Sequence, residues 1–530
     1  MIERNGPWRG KTIQVVGDLS LDEQRWLYRK TRELKEAIRD GADLSRFRVD
    51  DGDYAVHLVF LENSTRTRES FLNAARFHRV RVNRFDVGTS SFQKNESISD
   101  TAKMLVGYAP ESCFVVRSKL EGTCRALEDS IGDYCARAGF PRAAFINAGD
   151  GRHEHPTQEF LDELSFLEQL DWNEDHVHLA LVGDLWHGRT VHSKADGLRI
   201  FRNVEVDLVA PELLRMPERY VERMAANGYR VRIFESLDEY LAQDRVAPAW
   251  YFTRLQLERM GDTVLEQAPR LRRAVTFRQD LLGLLPEGTR FYHPLPRDRL
   301  APTIPTFLDA LPLNGWDGQS ANGYYTRIVE LGLVSGLLGA DFEGERALPA
   351  AEPEDFVREA PIVRRDKPEH KVGIKPVANG IVIDHIASGS PVEEIWNRVD
   401  AIRRILALNV RSSHGVYHSN AGPELFKGIV SLPDILAFDR KDLKKLAAIS
   451  PGCTLNMVKD GEVVRKYRLA MPPRIYNFEE ISCRNPNCVS HPEHREGVPP
   501  EFRRVSGERF ACRWCEAEHA FSEIWNLGSA

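Results

Sequence analysis

The run Ala55-Val56-His57-Leu58-Val59-Phe60-Leu61, followed at once by Glu62-Asn63-Ser64-Thr65-Arg66-Thr67-Arg68, decides the fold of this chain. A short and almost wholly apolar segment is what a parallel strand buried on both faces requires. The polar stretch leads into a helical pattern over 69–79, with Ser64 placed to cap it. Free N–H groups in such a first turn, flanked by Thr and Arg side chains, suit an anion. A capped helix carrying solvated arginines fits the same residues, so this stretch fixes the fold before it fixes a function.

The pattern recurs. Cys113-Phe114-Val115-Val116 and Ala143-Ala144-Phe145-Ile146 are further apolar runs, and a second series lies at 177–182, 204–209, 231–234, 249–252 and 291–292. Amphipathic stretches such as 217–227 separate them. Strands alternating with helices predict two doubly wound parallel-sheet α/β domains. From 341 to 371 the pattern dissolves into Glu, Pro, Arg and Lys, as in a tether. Two smaller units follow, one mixing β-rich runs with helices from 372, the other short and loop-rich from about 473.

A chain of 530 residues, 42% hydrophobic and 28% charged, exceeds what one core usually supports. The net charge of −6 gives no electrostatic reason to expect nucleic acid or an anionic membrane as partner. Residues 1–7 contain no apolar signal segment, and no run of about eighteen apolar residues could span a bilayer. The expected address is the cytoplasm. Cys113, Cys124, Cys135 and Cys453 are scattered, whereas Cys483-x4-Cys488 and Cys512-x2-Cys515 are two close pairs separated by twenty-three residues. That spacing suits one tetrahedral structural zinc, and so small a unit needs the help.

In open α/β sheets ligands bind beyond the carboxyl ends of the strands. Here those ends carry Ser64–Arg68, Arg117, the 147–158 segment with His153, His155 and Gln158, then Gly183-Asp184-Leu185 running on to Arg189, then Arg254 with Gln256, and finally His293-Pro294-Leu295-Pro296-Arg297. The turn after 177–182 lacks the glycine spacing of a dinucleotide site. Alternate histidines on a loop suit structural or substrate contacts better than a metal. Any one of these arginines could be a surface ion-pair partner. Together they form a funnel of Arg, Thr and His suited to a phosphate and a small di-acid, which Arg grips bidentately.

Ser64-Thr65-Arg66-Thr67-Arg68 resembles the carbamoyl-phosphate signature of the transcarbamoylases. The 90–97 and 253–259 segments, His155-Pro156-Thr157-Gln158, Gly188-Arg189-Thr190-Val191-His192-Ser193 and His293-Pro294-Leu295-Pro296-Arg297 resemble the aspartate branch, in the family's order over about residues 10–340. Ornithine enzymes typically have cysteine after the equivalent of His293, so Pro294, Arg254 and Gln256 choose aspartate. The resemblance implies transfer of a carbamoyl group from carbamoyl phosphate to L-aspartate, with no cofactor in catalysis. It implies that Ser64, Thr65, Arg66 and Thr67 hold the phosphate, and that Thr67, Arg117 and His155 polarise the carbonyl. Gln158 and the carbonyls of Pro294 and Leu295 would orient the carbamoyl amine, and Arg189, Arg254 and Gln256 would grip aspartate. Ser90 and Lys94 would come from a neighbouring subunit of a catalytic trimer. Asn63, Asn95 and Ser118 stand where the family more often has proline, glycine and histidine. A catalytically inactive regulatory scaffold and a transcarbamoylase for another amine are the competing readings.

The 378–386 and 449–456 segments and the clustered cysteines resemble the regulatory chain of the same enzyme, here joined to the catalytic chain. The resemblance implies an α+β nucleotide-binding-like domain and a small zinc-binding β domain. Asp384, His385 and Lys466 would contact an effector such as ATP, CTP or UTP. The family's second lysine is expected to be missing, with Ser431 in its place and Lys427 one turn away. The expected boundaries are 1–160 for carbamoyl phosphate, completed by a helix at 318–340, then 161–317 for aspartate, a 341–371 linker, 372–472 for the nucleotide and 473–530 for zinc.

Overall fold

A computed structural model describes residues 4–85, 96–256, 266–347, 356–362, 377–408, 411–419, 425–433 and 435–527. The first apolar run forms β2 of a parallel sheet made from β1 (Thr12–Ile13), β2 (Ala55–Phe60), β3 (Arg81–Phe85), β4 (Ser112–Ser118) and β5 (Ala144–Asp150). The strand order is β1-β5-β4-β2-β3. Every residue of β2, β4 and β5 is buried, which is why the central part of each reads as a mainly apolar run. The edge strand β3 has no buried residue.

The second sheet contains β6 (His176–Val182), β7 (Asn203–Val209), β8 (Arg230–Phe234), β9 (Ala249–Phe252) and β10 (Arg290–Tyr292). It is also parallel, in the order β10-β9-β6-β7-β8. In the first sheet the order reverses between β2 and β4, and in the second between β6 and β9. Those reversals open the crevices where ligands bind in such folds.

Helix Trp316–Val334 returns from the second sheet to pack on helices Leu21–Arg39, Thr65–Phe77 and Pro156–Gln169 of the first part. It begins before and stops short of the expected 318–340 span. The chain leaves the helix through Gly336 at φ +79°, and Leu338 N–H bonds back to the Gly332 carbonyl. That left-handed glycine satisfies the helix end and turns the chain away.

The molecule divides into two compact units, Met1–Leu348 with Asn487–Val489, and Pro349–Pro486 with Ser490–Ala530. The second unit is antiparallel throughout its sheets. One joins β11 (Val357–Glu359), β12 (Gly380–Ile386), β13 (Ser413–His418), β14 (Phe426–Pro433), β15 (Thr454–Lys459) and β16 (Glu462–Leu469) in the order β11-β16-β15-β12-β14-β13. The other joins β17 (Arg474–Tyr476), β18 (Glu501–Ser506), β19 (Arg509–Cys512) and β20 (Glu518–Ala520) in sequence order. The fold class expected from the sequence is the one observed. Among the described residues no helix is long and apolar enough to cross a membrane.

Candidate functional site

The carboxyl ends of β2, β4, β6 and β9 open into one cavity of about 650 Å³. It is lined by Ser64, Thr65, Arg66, Thr67, Arg117, His155, Gln158, Arg189, Arg254, Gln256, Pro294 and Leu295, which are all the catalytic-unit residues the sequence proposed within the described part. Ser90, Lys94 and Asn95 lie outside the described residues.

Helix Thr65–Phe77 starts at the cavity with Ser64 at its cap position, but the Ser64 side chain makes no capping bond. The first-turn N–H groups and dipole therefore face the cavity beside the Thr and Arg side chains. Arg117, at the end of β4, donates through Nη1 to the Ala148 carbonyl at 2.9 Å. Its Nη2 lies 3.1 Å from Glu62 Oε2, and Arg189 Nη2 lies 3.3 Å from the same oxygen. Arg189 also donates through Nη1 to the Gly151 carbonyl at 3.0 Å. Burial first, and Arg189 second, push the Arg117 pKa down to about 9, so the guanidinium stays charged at neutral pH.

His155 is buried at the start of helix Pro156–Gln169. Burial, then the charges of Arg117, Arg189 and Arg327, hold its pKa well below 6.5. The ring is a neutral imidazole at pH 7 and can donate one hydrogen bond without carrying charge.

On the opposite wall Asp184, completely buried, ties two loops together. Its carboxylate accepts from His187 N–H at 2.9 Å and from Gln256 N–H at 3.1 Å. The Thr253 hydroxyl donates to the Asp184 carbonyl at 3.2 Å. Together these bonds hold the Arg254–Gln256 segment against the turn that carries Arg189. At the rim Arg297 is paired with Asp309, 3.1 Å apart at Nη2. His293 accepts the Leu295 N–H on Nδ1 at 2.7 Å, and burial first, then Arg297, Arg66 and Arg254, push its pKa down to about 3.

Among the lining and bracing residues that the sequence did not single out are Glu62, Asp184, Gln319 and Arg327. Glu62 and Asp184 each lie two residues beyond a strand, and an acid in that position among arginines was the available signal. Gln319 and Arg327 sit inside a long helix, where nothing local separates them from ordinary helix residues. Ser118, one of the unusual positions, is buried in β4 and accepts the Leu120 N–H on its hydroxyl at 2.9 Å.

In the second unit Asp384 and His385 lie near the end of β12. Val382, Asn456 and Lys466 form one cross-strand row, and Asp384, Thr454 and Arg468 form another two residues along. The two-residue period puts both rows on one sheet face. His385, at φ +62°, shares a hydrogen bond of 3.2 Å between Nδ1 and the Thr454 hydroxyl. Lys427 Nζ lies 2.7 Å from Asp384 Oδ1, so it belongs to this group. Ser431 is fully buried, with its backbone opposite Val382 and Ser413 and its hydroxyl without a partner among the described residues.

Cys483, Cys488, Cys512 and Cys515 are all buried, with their sulfurs within 4.8 Å of one another. Cys483 and Cys515 Sγ are 3.7 Å apart, close to the roughly 3.8 Å edge of a tetrahedron with 2.3 Å zinc–sulfur bonds. The geometry fits a metal held by four thiolates.

Residues 11–168 match the aspartate/ornithine carbamoyltransferase carbamoyl-P binding domain. Residues 372–470 match the aspartate carbamoyltransferase regulatory chain allosteric domain, and 473–525 its metal binding domain. Protein PyrBI of Thermotoga maritima is 53% identical over 98% of this chain and 99% of its own length. The chain belongs to the aspartate carbamoyltransferase family, in its fused catalytic and regulatory form. Protein PyrBI of Treponema denticola is 50% identical over 97% of this aspartate carbamoyltransferase and 98% of its own length. The structure of aspartate transcarbamoylase from Trypanosoma cruzi in complex with carbamoyl phosphate and aspartate aligns with a TM-score of 0.53 at 29% identity, covering 63% of this chain and 99% of that one.

Proposed function

We propose that the cavity at the strand ends is where this aspartate carbamoyltransferase moves the carbamoyl group of carbamoyl phosphate to the amine of L-aspartate, giving N-carbamoyl-L-aspartate and phosphate for de novo pyrimidine synthesis. The observation that carries this reading is the convergence of Arg66, Arg117, Arg189 and Arg254 with a neutral His155 on one cavity. Ser64, Thr65, Arg66 and Thr67 hold the phosphate. Thr67, Arg117 and His155 donate to the carbonyl oxygen, where negative charge grows as the amine attacks. Gln158 and the carbonyls of Pro294 and Leu295 take the carbamoyl N–H groups. Arg189, Arg254 and Gln256 fix the two carboxylates of aspartate, so that amine and carbonyl meet aligned. The departing phosphate accepts the amine proton, and no step calls for a metal or a covalent intermediate.

Around that centre the chain works as a homo-oligomer of catalytic trimers in the cytoplasm, with Ser90 and Lys94 completing a neighbour's site. Zinc fills the four-cysteine cluster as a structural ion. ATP, CTP or UTP binds the face that carries Asp384, His385, Lys427 and Lys466. The domain limits set out from the sequence apply, with the completing helix at Trp316–Val334.

The deciding assay offers carbamoyl phosphate with aspartate, ornithine or putrescine. Carbamoylation of aspartate alone is expected. Carbamoylation of another amine, or of none, would replace this reading with one of its two competitors. Sharing of the site is checked by mixing inactive Lys94→Ala and Arg66→Ala proteins, which should regain activity once subunits exchange.

A further inference from the structure

Beneath the cavity floor, helix Pro156–Gln169 and the short helix Lys194–Gly197 bring an ammonium among carboxylates that water does not reach. Lys194 Nζ donates to Glu159 Oε2 at 2.9 Å and to Asp162 Oδ2 at 3.0 Å, and all three side chains have no exposed surface. Nζ also lies 4.2 Å from the centre of the Tyr251 ring. Burying such a group is costly unless it is fully paired, and an apolar side chain against Phe166 and Tyr251 would fill the space at lower cost. Two carboxylates and the Tyr251 ring face the ammonium. Burial, the largest influence, works against the Lys194 charge, but Asp162, Glu159 and Glu163 outweigh it and its pKa stands above the ordinary value.

What the ammonium secures is visible on the other side of Asp162. Oδ1 accepts from Gln158 Nε2 at 2.8 Å and from Gln319 Nε2 at 2.6 Å. A carboxylate can only accept, so each glutamine must turn its NH2 inward and its carbonyl oxygen away. Gln319 spends that oxygen on the His293 N–H at 2.8 Å, at the head of the Pro294–Leu295 turn. Gln158, which lines the cavity, is left with Oε1 as the end that can meet an N–H donor there.

We propose that Lys194 is a positioning residue for carbamoyl transfer: by gripping one oxygen of Asp162 it fixes the other against Gln158, whose acceptor end is thereby aimed at the carbamoyl amine. This rests on the role given to Gln158 above. The charge pair is a device for orienting an amide, and stability is secondary to it.

The test is a double-mutant cycle on the full chain, with carbamoyl phosphate as the varied substrate. Lys194→Met should lower kcat/KM for carbamoyl phosphate by at least about tenfold. In a Gln158→Ala background the same change should cost less than half as much on a logarithmic scale, because its route is already gone. Equal losses in the two backgrounds would overturn the proposal. A charge-balanced pair, Lys194→Met with Asp162→Asn, guards against simple misfolding. Its side-chain amide can donate as well as accept, so thermal stability should recover while kcat/KM stays low. Wild-type kcat/KM in that pair would also overturn the proposal. If Gln158→Ala alone leaves kcat/KM unchanged, the role of Gln158 falls, and the inference resting on it falls for that separate reason.

Discussion

The catalytic unit and the C-terminal unit solve the same problem, holding polar groups in fixed places, by different means. In the catalytic unit parallel strands are buried on both faces and their polar residues gather at the strand ends, inside one cavity. In the C-terminal unit the strands are antiparallel, the charged residues stand on a sheet face, and the last sheet is braced by a cluster of thiols. The first arrangement draws its rigidity from a large apolar core. The second has a much smaller apolar core around β17–β20, where four buried cysteines stand close enough to hold a metal. Polar order can be obtained from either source, and the two should fail under different insults.

The largest difference should appear on removing metal. Structural zinc in small domains is worth roughly 10–16 kcal/mol of apparent binding energy at neutral pH. Metal analysis should find about one zinc per chain. A chelator or Cys512→Ser should open the 473–525 region to protease while carbamoylation of aspartate continues. Loss of the chemistry itself under chelation would erase the proposed separation.

A comparable but opposite insult is Arg254→Ala. It leaves the thiol cluster alone and should lower kcat/KM for aspartate by about a thousandfold, as expected for losing a charge-assisted bidentate grip. Carbamoyl phosphate binding, read by calorimetry, should survive. Unchanged aspartate kinetics would remove Arg254 from the site.

Acid should also separate the units when zinc is kept in excess. Burial holds His57, His78 and His192 of the catalytic unit down to about 4. The unfolded chain takes up protons near 6.5 while the folded one does not. Stability is therefore unaffected above pH 6.5 and falls as pH drops from there towards 4, by up to about 3 kcal/mol for each ring. Urea unfolding followed by activity at pH 7.5, 6 and 5 should show the decline. A flat profile would mean that these rings are solvated.

The smallest effect concerns the effector face. Lys427→Ala should weaken binding of ATP, CTP or UTP by about tenfold in calorimetry, the cost of one charge contact. Ser431→Ala should change nothing in binding, because that hydroxyl is buried, with no partner among the described residues. The reverse outcome would restore the serine to the site.

These contrasts also explain which parts could be read from sequence. The runs of β2, β4, β6, β7 and β9 were legible because strands buried on both faces are predominantly apolar, even where a buried polar residue such as His57 or Asp207 interrupts them. Two-residue β1 and exposed β3 carry no such signal. The end of β5 was read as loop, yet Asn147 and Asp150 are strand residues. Asn147 Nδ2 donates to the Gln14 carbonyl at 2.8 Å and Gln14 Nε2 to Asp150 at 2.7 Å, a buried polar network that only tertiary structure reveals. The cavity residues were legible as motifs at strand ends. Their braces, Asp162, Lys194 and Gln319, were not, since each lies on a helix face whose partner is far away in sequence. On the effector face the ion pair of Lys427 with Asp384 joins residues far apart in sequence, so only tertiary structure reveals it.

One consequence follows from helix Trp316–Val334 for how the chain is made. Its residues Ile328, Val329, Leu331 and Leu333 are buried, and it packs on helices formed from residues 21–39, 65–77 and 156–169. The first half of the catalytic unit is therefore synthesised with an apolar face open, and stays so until the whole second half has left the ribosome. Vectorial synthesis favours domains that close as they emerge, and contacts of this sequence range close late. The amino-terminal half must wait for the helix that seals it, so a ribosome stalled before Trp316 displays a surface that chaperones are built to recognise.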